Sequence, residues 1–426
     1  AEQLAEEAAL LRAAVAEDGV HADRGVHEHH AAGFADSCFA RIQFDFDELH
    51  VVAVYFVINF VHLVHGKRGK AEGWAAGGGS SRNGRSKKGR CFHSGGEPQR
   101  LGQVRGDLRE AAPGFGPRIE ALVVYNSNPV AVAPESGKVV QGFGREDLFT
   151  VVLEHFQTDT ADYADYILPA TTQLEHWDIH ASYGHTDILL NRPAIAPMGA
   201  CKTNTDIFRA LAKLMGFTEP CFSEDDETLC RTAFAATQDM DALFAQGFTH
   251  LKSANGQPLP DAPFAEGAFP SPSGKCEFFS QRLADMGQDG LPDYIANYEI
   301  PQTNAEFPLA MISPPARNFL NSSFVNLQSL RDIETEPVLE MHPEDAQMRG
   351  IQEGDVISVF NQRGTYHCKA RLNNRARPGV VNGLGIWWRK LGLNGTNVNE
   401  LTSQNLTDIG RAPVFYDCCV EVAVLK

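Results

Sequence analysis

The sequence predicts an α/β protein in which a Rossmann-like parallel sheet precedes a closed β-barrel. Two observations lead to this prediction. Between residues 99 and 300, short apolar runs alternate with segments of helical spacing, which is typical of parallel βαβ units. From residue 301 onward, short strand-like runs are separated by turns that contain glycine, which favours a barrel. Residues 1–98 fit neither pattern, and we expect them to be irregular or disordered.

The predicted sheet comes from apolar runs that stop abruptly at small polar residues. Such runs are typical of buried parallel strands, and the helices between them provide the crossovers. A later helix ends at Gly216, a residue type that commonly stops helices. The strands are predicted over 119–125, 148–154 and 166–168, and the helices over 136–145, 159–164 and 205–215.

The predicted barrel contains one short helix, over 342–350. Pro343 lies in its first turn and Gly350 at its exit, the usual asymmetry of helix ends. Cys418 and Cys419 are expected to be one inward and one outward residue of a strand. Further strands are predicted over 308–313, 356–361, 365–372 and 379–384.

Three domains follow from these patterns: an atypical segment over 1–98, a partial Rossmann-like domain over 99–300 and a barrel domain over 301–426. The first segment includes a Gly/Ser/Lys/Arg stretch with the composition of a disordered linker, and a mistranslated segment is the alternative. A membrane-spanning helix needs about 20 apolar residues, and the apolar run over 51–64 is shorter than that. We therefore predict no membrane span.

Composition limits the class of function. The net charge of −17 at pH 7 argues against general nucleic-acid binding, which needs a basic face. The 9 cysteines form no C-x-x-C pair, so zinc-ribbon and iron–sulfur spacings are absent, and a reducing compartment is indicated. The chain starts with an acidic, helix-forming stretch instead of a signal peptide. We predict a cytoplasmic protein.

Polar side chains follow the predicted strands at the ends where α/β sheets bind ligands. Asn126, Ser127, Asn128 and Pro129 follow the first strand. Taken alone, this segment would more often be an ordinary Asx-turn than a ligand contact. After the later strands come Glu154, Thr158, Asp159 and Glu175.

Several blocks, taken together, resemble the molybdopterin oxidoreductases of the dimethyl-sulfoxide-reductase superfamily. The resemblance is collinear over about residues 99–426, and it is specific as a set although each block alone is weak. The blocks are Tyr125–Pro129, Thr158–Ala170 with Glu175, Lys202–Asp206, Leu339–Asp345, Gly354–Asp355, Arg377–Val381 and Asn399–Thr402.

The resemblance implies a bis-molybdopterin guanine dinucleotide with molybdenum or tungsten, held by Rossmann-like domains and a six-stranded double-psi barrel. It implies cofactor contacts at all the strand-end residues named above. Backbone amides and small side chains suit a pyrophosphate, and carboxylates suit guanine or ribose edges. In the barrel the implied contacts are Arg317, Asn321, Ser322, Ser323, Asn382, Asn399 and Thr402.

The chain also departs from the family pattern. No cysteine cluster for a [4Fe-4S] centre and no molybdenum-ligating residue is recognisable, so no catalytic residue or metal ligand is assigned. We expect a carboxyl-terminal half that does not catalyse alone, with any [4Fe-4S] cluster supplied by a missing amino-terminal domain. The expected partners are a small-molecule substrate and either an electron-transfer subunit or that missing half.

Other interpretations stay open. The chain could be a non-catalytic cofactor-binding subunit or a degenerate fragment, and the barrel alone could serve substrate recognition. His176 and His180 have the spacing of a helical zinc pair but no third ligand, so support of the cofactor cavity is favoured. Of Trp387 and Trp388, one is expected in the core and the other lining the cofactor funnel. The pattern does not identify the substrate.

Overall fold

The computed structural model describes residues 52–53 and 119–425, apart from 182–183, 236–237, 254, 261, 268, 292, 301–304 and 410–411. The predictions for residues 1–98 therefore lie outside the described residues, except at 52–53. The chain divides into two compact units. In the described part, one unit contains 169–294 and the other contains 52–53, 119–168 and 295–425. The three predicted domain boundaries stay predictions.

A four-stranded sheet opens the described chain, in the order β1-β2-β3-β4. Strand β1 pairs with β2 and β2 pairs with β3, both in parallel, which confirms the predicted parallel sheet. The helices between β2 and β3 bury Val139 and Phe143 against Leu122, Val124 and Val152 of the strands. The elements are β1 (Val52–Ala53), β2 (Ala121–Tyr125), α1 (Pro129–Val132), α2 (Ser136–Phe143), β3 (Phe149–Glu154), a 3-10 turn (Ala161–Tyr163) and β4 (Tyr166–Pro169).

Residues 169–294 form a unit with a three-stranded antiparallel sheet, in the order β5-β6-β7. The longest helix, α3, starts where the Thr203 hydroxyl accepts a hydrogen bond from the N–H of Asp206. It ends at Gly216, whose φ of 80° is a conformation that glycine adopts without strain. The elements are β5 (Asp178–Ala181), β6 (Asp187–Asn191), α3 (Asn204–Met215), α4 (Asp226–Thr232), α5 (Met240–Gln246), β7 (Phe248–His250) and α6 (Gln281–Asp285).

The carboxyl-terminal part closes into a barrel of six strands, in the order β10-β11-β9-β12-β8-β13, as the resemblance implies. The pairs β9–β11 and β8–β12 are parallel, and the other pairs are antiparallel. The elements are β8 (Leu309–Ile312), α7 (Gln328–Glu334), β9 (Val338–Met341), α8 (Pro343–Arg349), β10 (Val356–Asn361), β11 (Gly364–Leu372), β12 (Val380–Gly383) and β13 (Cys418–Val424).

Cys418 and Cys419 are one inward and one outward residue of β13, as expected: Cys418 lies in the barrel core, and Cys419 lies outside that core with its thiol 3.2 Å from the carbonyl of Glu299. Residues 298–300 cover this outward side, so Cys419 is only 8% exposed. The expectation for the two tryptophans is wrong. Trp387 and Trp388 are both buried, so neither lines an open funnel. Chain segments outside the barrel strands thus bury side chains that a strand pattern assigns to the surface.

Candidate cofactor site

The turn after β2 presents polar groups at the carboxyl end of the sheet. Asn126 has φ of 49°, a left-handed conformation that asparagine tolerates better than most residues. Its backbone N–H donates to the carbonyl of Leu153, 3.3 Å away, so the ends of β2 and β3 stay together. Ser127 is half-buried, and Asn128 and Pro129 are buried. The predicted residues Asn126 to Pro129 therefore lie at the edge where β2 and β3 end.

The side-chain amide of Asn128 is held by Thr160, a residue absent from the sequence prediction. The N–H and the hydroxyl of Thr160 both donate to Oδ1 of Asn128, at 3.1 and 2.8 Å. The same hydroxyl oxygen accepts the N–H of Val130 at 3.1 Å. Nδ2 of Asn128 is buried and has no hydrogen-bond partner among the described residues. A buried amide group in this state is a donor that a ligand oxygen could satisfy.

Glu154 lies at the end of β3 and is a candidate acceptor. Its carboxyl group accepts the N–H of His155 at 2.8 Å. Burial raises the pKa of Glu154, and this effect exceeds the opposing hydrogen bond and charge of His155. The loss of hydration therefore affects the pKa of this carboxyl group more than its protein contacts do. Such an imbalance is typical of functional sites.

Thr158 and Asp159 are also buried, but their side chains contact the protein itself. Thr158 Oγ1 accepts the N–H of Ala161 at 3.2 Å. The two oxygens of Asp159 accept the N–H groups of Arg389 and Lys390, at 2.5 and 3.2 Å. Burial raises the pKa of Asp159, and these hydrogen bonds offset part of that increase. Asp159 therefore joins the sheet segment to the barrel.

The barrel loop that carries Asn399 and Thr402 lies against the last residues of α1. The amide of Asn399 donates to the carbonyls of Ala131 and Val132, at 3.1 and 3.0 Å. The hydroxyl of Thr402 donates to Oδ1 of Asn399 at 3.2 Å. Asn397, which the sequence prediction missed, also donates to the carbonyl of Ala131 at 3.0 Å. The hydrogen bonds of these buried side chains are thus made to other groups of the protein.

A partly buried ion pair completes this junction. Arg389 Nη1 donates to Oε2 of Glu400 and to Oγ of Ser136, both at 2.6 Å. The hydroxyl of Ser136 in turn donates to Oε2 of Glu400 at 2.8 Å. In the sequence, this junction is indicated locally by Gly137, near the start of α2. Glycine is unfavourable in a helix, so its presence indicates that another group packs too closely for a side chain at that position.

The other predicted barrel residues lie in two places. Asn321, with φ of 50°, and Ser323 are exposed in a tight turn, and the carbonyl of Ser322 accepts the indole N–H of Trp388 at 2.8 Å. Arg317 is exposed. Asn382 is half-buried on β12, where its amide donates to Oε2 of Glu340 at 3.4 Å.

Glu175 belongs to the unit over 169–294 and is described within it. Its carboxyl oxygens accept the N–H and hydroxyl of Thr172, at 2.6 and 2.7 Å, and the N–H of Met198 at 2.6 Å. His180 lies in β5, so its spacing from His176 is not helical. Among the residues that the structure describes, no group of three or more His, Cys, Asp or Glu is placed to hold a metal ion.

The donor set at the β2 and β3 ends fits a dinucleotide. It combines small polar residues, a buried amide without a partner and a desolvated carboxyl group, which are the groups that phosphate and ribose or base edges need. The fit is to the nucleotide portion of a cofactor. No described residue is assigned to a metal.

Comparison with protein families identifies two matching models. Residues 54–214 match the model described as molybdopterin oxidoreductase. Residues 309–419 match the molydopterin dinucleotide binding domain. The first match begins within residues 1–98, the segment predicted to be atypical. The second extends from β8 to the start of β13 and so includes residues of all six barrel strands.

Three curated relatives show the same relationship. The chain is 38% identical over 313 residues to a probable oxidoreductase, YoaE, of Bacillus subtilis, covering 72% of this chain and 44% of the relative. It is 29% identical to dimethyl sulfoxide reductase DmsA of Escherichia coli, covering 64% and 37%. It is 28% identical to dimethyl sulfoxide/trimethylamine N-oxide reductase of Cereibacter sphaeroides, covering 62% and 35%. The chain spans less than half the length of each.

A solved structure shares the fold. Acetylene hydratase from Pelobacter acetylenicus matches with a TM-score of 0.63 at 20% identity, covering 77% of this chain and 46% of that chain. At this identity the likeness concerns the fold alone. In the described part of the chain, no helix has the length and apolar character required to cross a membrane.

Proposed function

Because the chain belongs to the molybdopterin oxidoreductases, we propose that it holds a bis-molybdopterin guanine dinucleotide as part of a molybdenum-dependent oxidoreductase. When bound, the cofactor supplies the metal centre for two-electron chemistry, including oxygen-atom transfer. The protein residues bind the dinucleotide, orient it and exclude water from it.

The observations that support this proposal are the unpartnered amide of Asn128 after β2 and the desolvated Glu154 at the end of the neighbouring strand β3. The buried Nδ2 of Asn128 would donate to an oxygen of the dinucleotide. The carboxyl group of Glu154 would accept from a ribose hydroxyl or from the guanine edge. Since burial raises the pKa of Glu154 in the absence of a ligand, donors on a ligand would lower it again.

The remaining predicted residues take two roles in this proposal. The exposed groups on the barrel, Arg317, Asn321 and Ser323, are available to a pterin or phosphate. Ser127, Asn382 and Glu175 stay candidate contacts. The side chains of Asp159, Asn399 and Thr402 contact protein groups instead. They would hold the binding residues in place without contacting the cofactor.

We further propose a small-molecule substrate and a protein partner, either an electron-transfer subunit or a polypeptide that carries the metal ligand. The named substrates of the relatives, dimethyl sulfoxide and trimethylamine N-oxide, are the first compounds to test. The cytoplasmic location stays a prediction.

The test is cofactor analysis of the full chain purified from a host that makes molybdopterin guanine dinucleotide. Molybdenum is measured by mass spectrometry, and the nucleotide is released with acid and identified chromatographically. We expect molybdenum together with guanosine monophosphate in excess over the metal, as the bis form requires. Protein without either would contradict the proposal.

Turnover distinguishes the enzyme from a binding subunit. Cofactor-loaded chain is mixed with a reduced viologen dye and each candidate substrate, with and without co-expressed partner polypeptides. Oxidation of the dye that depends on substrate supports the enzyme. Loaded chain that stays inactive under all conditions supports the alternative, a non-catalytic cofactor-binding subunit.

A further inference from the structure

We propose that Glu400 is a positioning residue. In this proposal, the ion pair of Glu400 with Arg389 latches the barrel to the chain segment that follows β2, and so sets the position of the Asn126–Asn128 turn. Residues 389–402 are called the latch loop, and residues 131–136 the receiving segment. The proposal deepens the proposed function and rests on it for the identity of the ligand.

The latch begins with a partly buried ion pair. The side chains of Arg389 and Glu400 are each 13% exposed, and the distance from Nη1 to Oε2 is 2.6 Å. Ser136, which is 0% exposed, donates to the same carboxylate oxygen. A buried ion pair contributes little net stability but is costly to break, because its partner charge stays uncompensated. Such a pair fixes geometry.

The space around Glu400 is closed on two sides by glycines. A Cβ atom at Gly137 would overlap Oε1 of Glu400, and a Cβ atom at Gly364 would lie 2.7 Å from its Cγ. Gly137 is inside helix α2, where alanine is the intrinsically better residue. The glycine is therefore explained by the carboxylate side chain that occupies the position of its missing Cβ.

Further hydrogen bonds run along the same line of contact. Two residues beyond Glu400, the carbonyl of Thr402 accepts the N–H of Glu135 at 3.1 Å. The amides of Asn397 and Asn399 bind the carbonyls of Ala131 and Val132. The latch loop thus contacts the receiving segment at its start, middle and end.

The receiving segment begins three residues after Asn128, and α1 connects the two directly. A displacement of residues 131–136 therefore moves the turn that carries the unpartnered amide. Since productive contacts require placement within a fraction of an ångström, loss of the latch weakens ligand binding without removing any ligand contact.

The test is a double-mutant cycle in the full chain with Gly137→Ala and Glu400→Ala. Gly137→Ala alone pushes Glu400 away from Arg389 and Ser136, and we expect Tm to fall by roughly 5–10 °C. In the Glu400→Ala background the same substitution meets no carboxylate, so Tm stays constant or rises because of the helix preference for alanine. Equal losses in both backgrounds would overturn the latch.

The positioning role has its own measurement, the amount of guanosine monophosphate released per folded chain. We expect a loss of at least about tenfold for Glu400→Ala and for Gly137→Ala. Glu400→Gln keeps the shape and an oxygen acceptor for Arg389 and Ser136 but removes the charge, so its loss of nucleotide should be smaller than that of Glu400→Ala. Glu146→Ala, which removes an exposed carboxylate just beyond α2, is the matched control and should change nothing.

The outcomes separate the two proposals. Wild-type chain without molybdenum or nucleotide contradicts the proposed function, while the Tm cycle still tests the latch. Wild-type chain with cofactor, together with Glu400→Ala that keeps it in full, overturns the positioning role. A loss of nucleotide in Glu400→Ala that exceeds the loss in Glu400→Gln, with the expected coupling in Tm, supports both.

Discussion

At the scale of single residues, Thr160 determines which way the amide of Asn128 points. A backbone N–H can only donate, so the side-chain atom that it approaches must be the amide oxygen. The Thr160 hydroxyl approaches the same atom and is itself occupied as an acceptor by Val130. The NH2 group is consequently the atom left for a ligand, and the assignment follows from hydrogen-bond chemistry.

Asn128→Asp tests that assignment. The carboxylate keeps both acceptor contacts with Thr160 but replaces the donor by a negatively charged acceptor, which repels phosphate. We expect cofactor nucleotide to fall by at least about tenfold. The measurement is nucleotide per chain after gel filtration.

The companion variants concern Thr160. Thr160→Val should also lose nucleotide, because the amide of Asn128 then keeps only the backbone N–H of residue 160 as a partner and is held less firmly. Thr160→Ser keeps the hydroxyl and should behave as wild type. Full retention by Asn128→Asp would mean that its NH2 group makes no ligand contact.

Glu154 gives a prediction about pH. Burial raises its pKa in the folded protein above 4.5, the ordinary value of a glutamate side chain. The folded state therefore binds a proton more tightly than the unfolded state. The stability contributed by this group is complete below about pH 4.5 and is lost as pH rises through the raised folded pKa.

Glu154→Gln removes this dependence. In ligand-free protein we expect the variant to be more stable than wild type at neutral pH and equal to it at the acid end of that interval. Urea unfolding of both proteins at a series of pH values measures the difference. A difference that does not change with pH would contradict the desolvation of this carboxyl group.

At the scale of elements, a short strap closes one side of the barrel. The strap is residues 298–300, whose three N–H groups all donate to the buried carboxylate of Asp417, at 2.5 to 3.1 Å. Glu299 also pairs with both Nη atoms of Arg363, at 2.7 and 2.8 Å. Nε of Arg363 donates to the carbonyl of Leu401 at 2.5 Å, so the strap connects to the latch loop.

Asp417→Ala should release the strap. Three N–H groups lose their acceptor, at a cost of about 1–3 kcal/mol for each group that stays buried. Cys419 then becomes accessible, and its pKa, which burial raises to about 11, falls toward the ordinary value. We expect faster alkylation of Cys419, measured by peptide mass spectrometry.

The controls for the strap lie on the same chain. Cys418, which is 0% exposed inside the barrel, should stay unreactive in Asp417→Ala. Asp408→Ala removes an exposed carboxylate and should leave Cys419 protected. Unchanged alkylation of Cys419 in Asp417→Ala would show that the strap is held by other contacts.

At the scale of the whole molecule, the sheet segment over 119–168 and the barrel are joined by buried polar contacts. Asp159 accepts two N–H groups of the latch loop, although it lies 230 residues away in sequence. The junction contains an ion pair, the carboxylate of Asp159 and side-chain amides. Each of these polar groups needs its own partner, so the two parts can pack together in only one arrangement.

Asp159→Ala should loosen this junction. We expect roughly tenfold faster amide exchange in β2 and β3, because loss of a buried acceptor destabilises the sheet segment by about 1–3 kcal/mol. Hydrogen exchange with mass spectrometry measures it. Asp162→Asn is the matched control, since its carboxylate pairs with Lys390 at the surface, where an ion pair contributes little. Equal exchange in both variants would contradict the structural role of Asp159.

Much of the fold follows from local patterns. The strands at 121–125, 149–154 and 356–361 and the helix at 204–215 were predictable, because apolar periodicity and glycine stops act within a few residues. Strand β9 is buried at all four positions and shows no alternation of polar and apolar residues, so periodicity alone does not identify it. The burial of Cys419 and Trp388 was not predictable, since distant segments cover them.

The sequence by itself determined the fold class, the family resemblance and the polar turn at the end of β2, because these depend on residue types over short distances. Only the tertiary structure decided the roles within that set. It showed that Asp159, Asn399 and Thr402 are engaged by the protein, and it brought Ser136 and Glu400 together across 264 residues. Partners so distant leave no local pattern, since a hydrogen bond requires proximity in space and not along the chain.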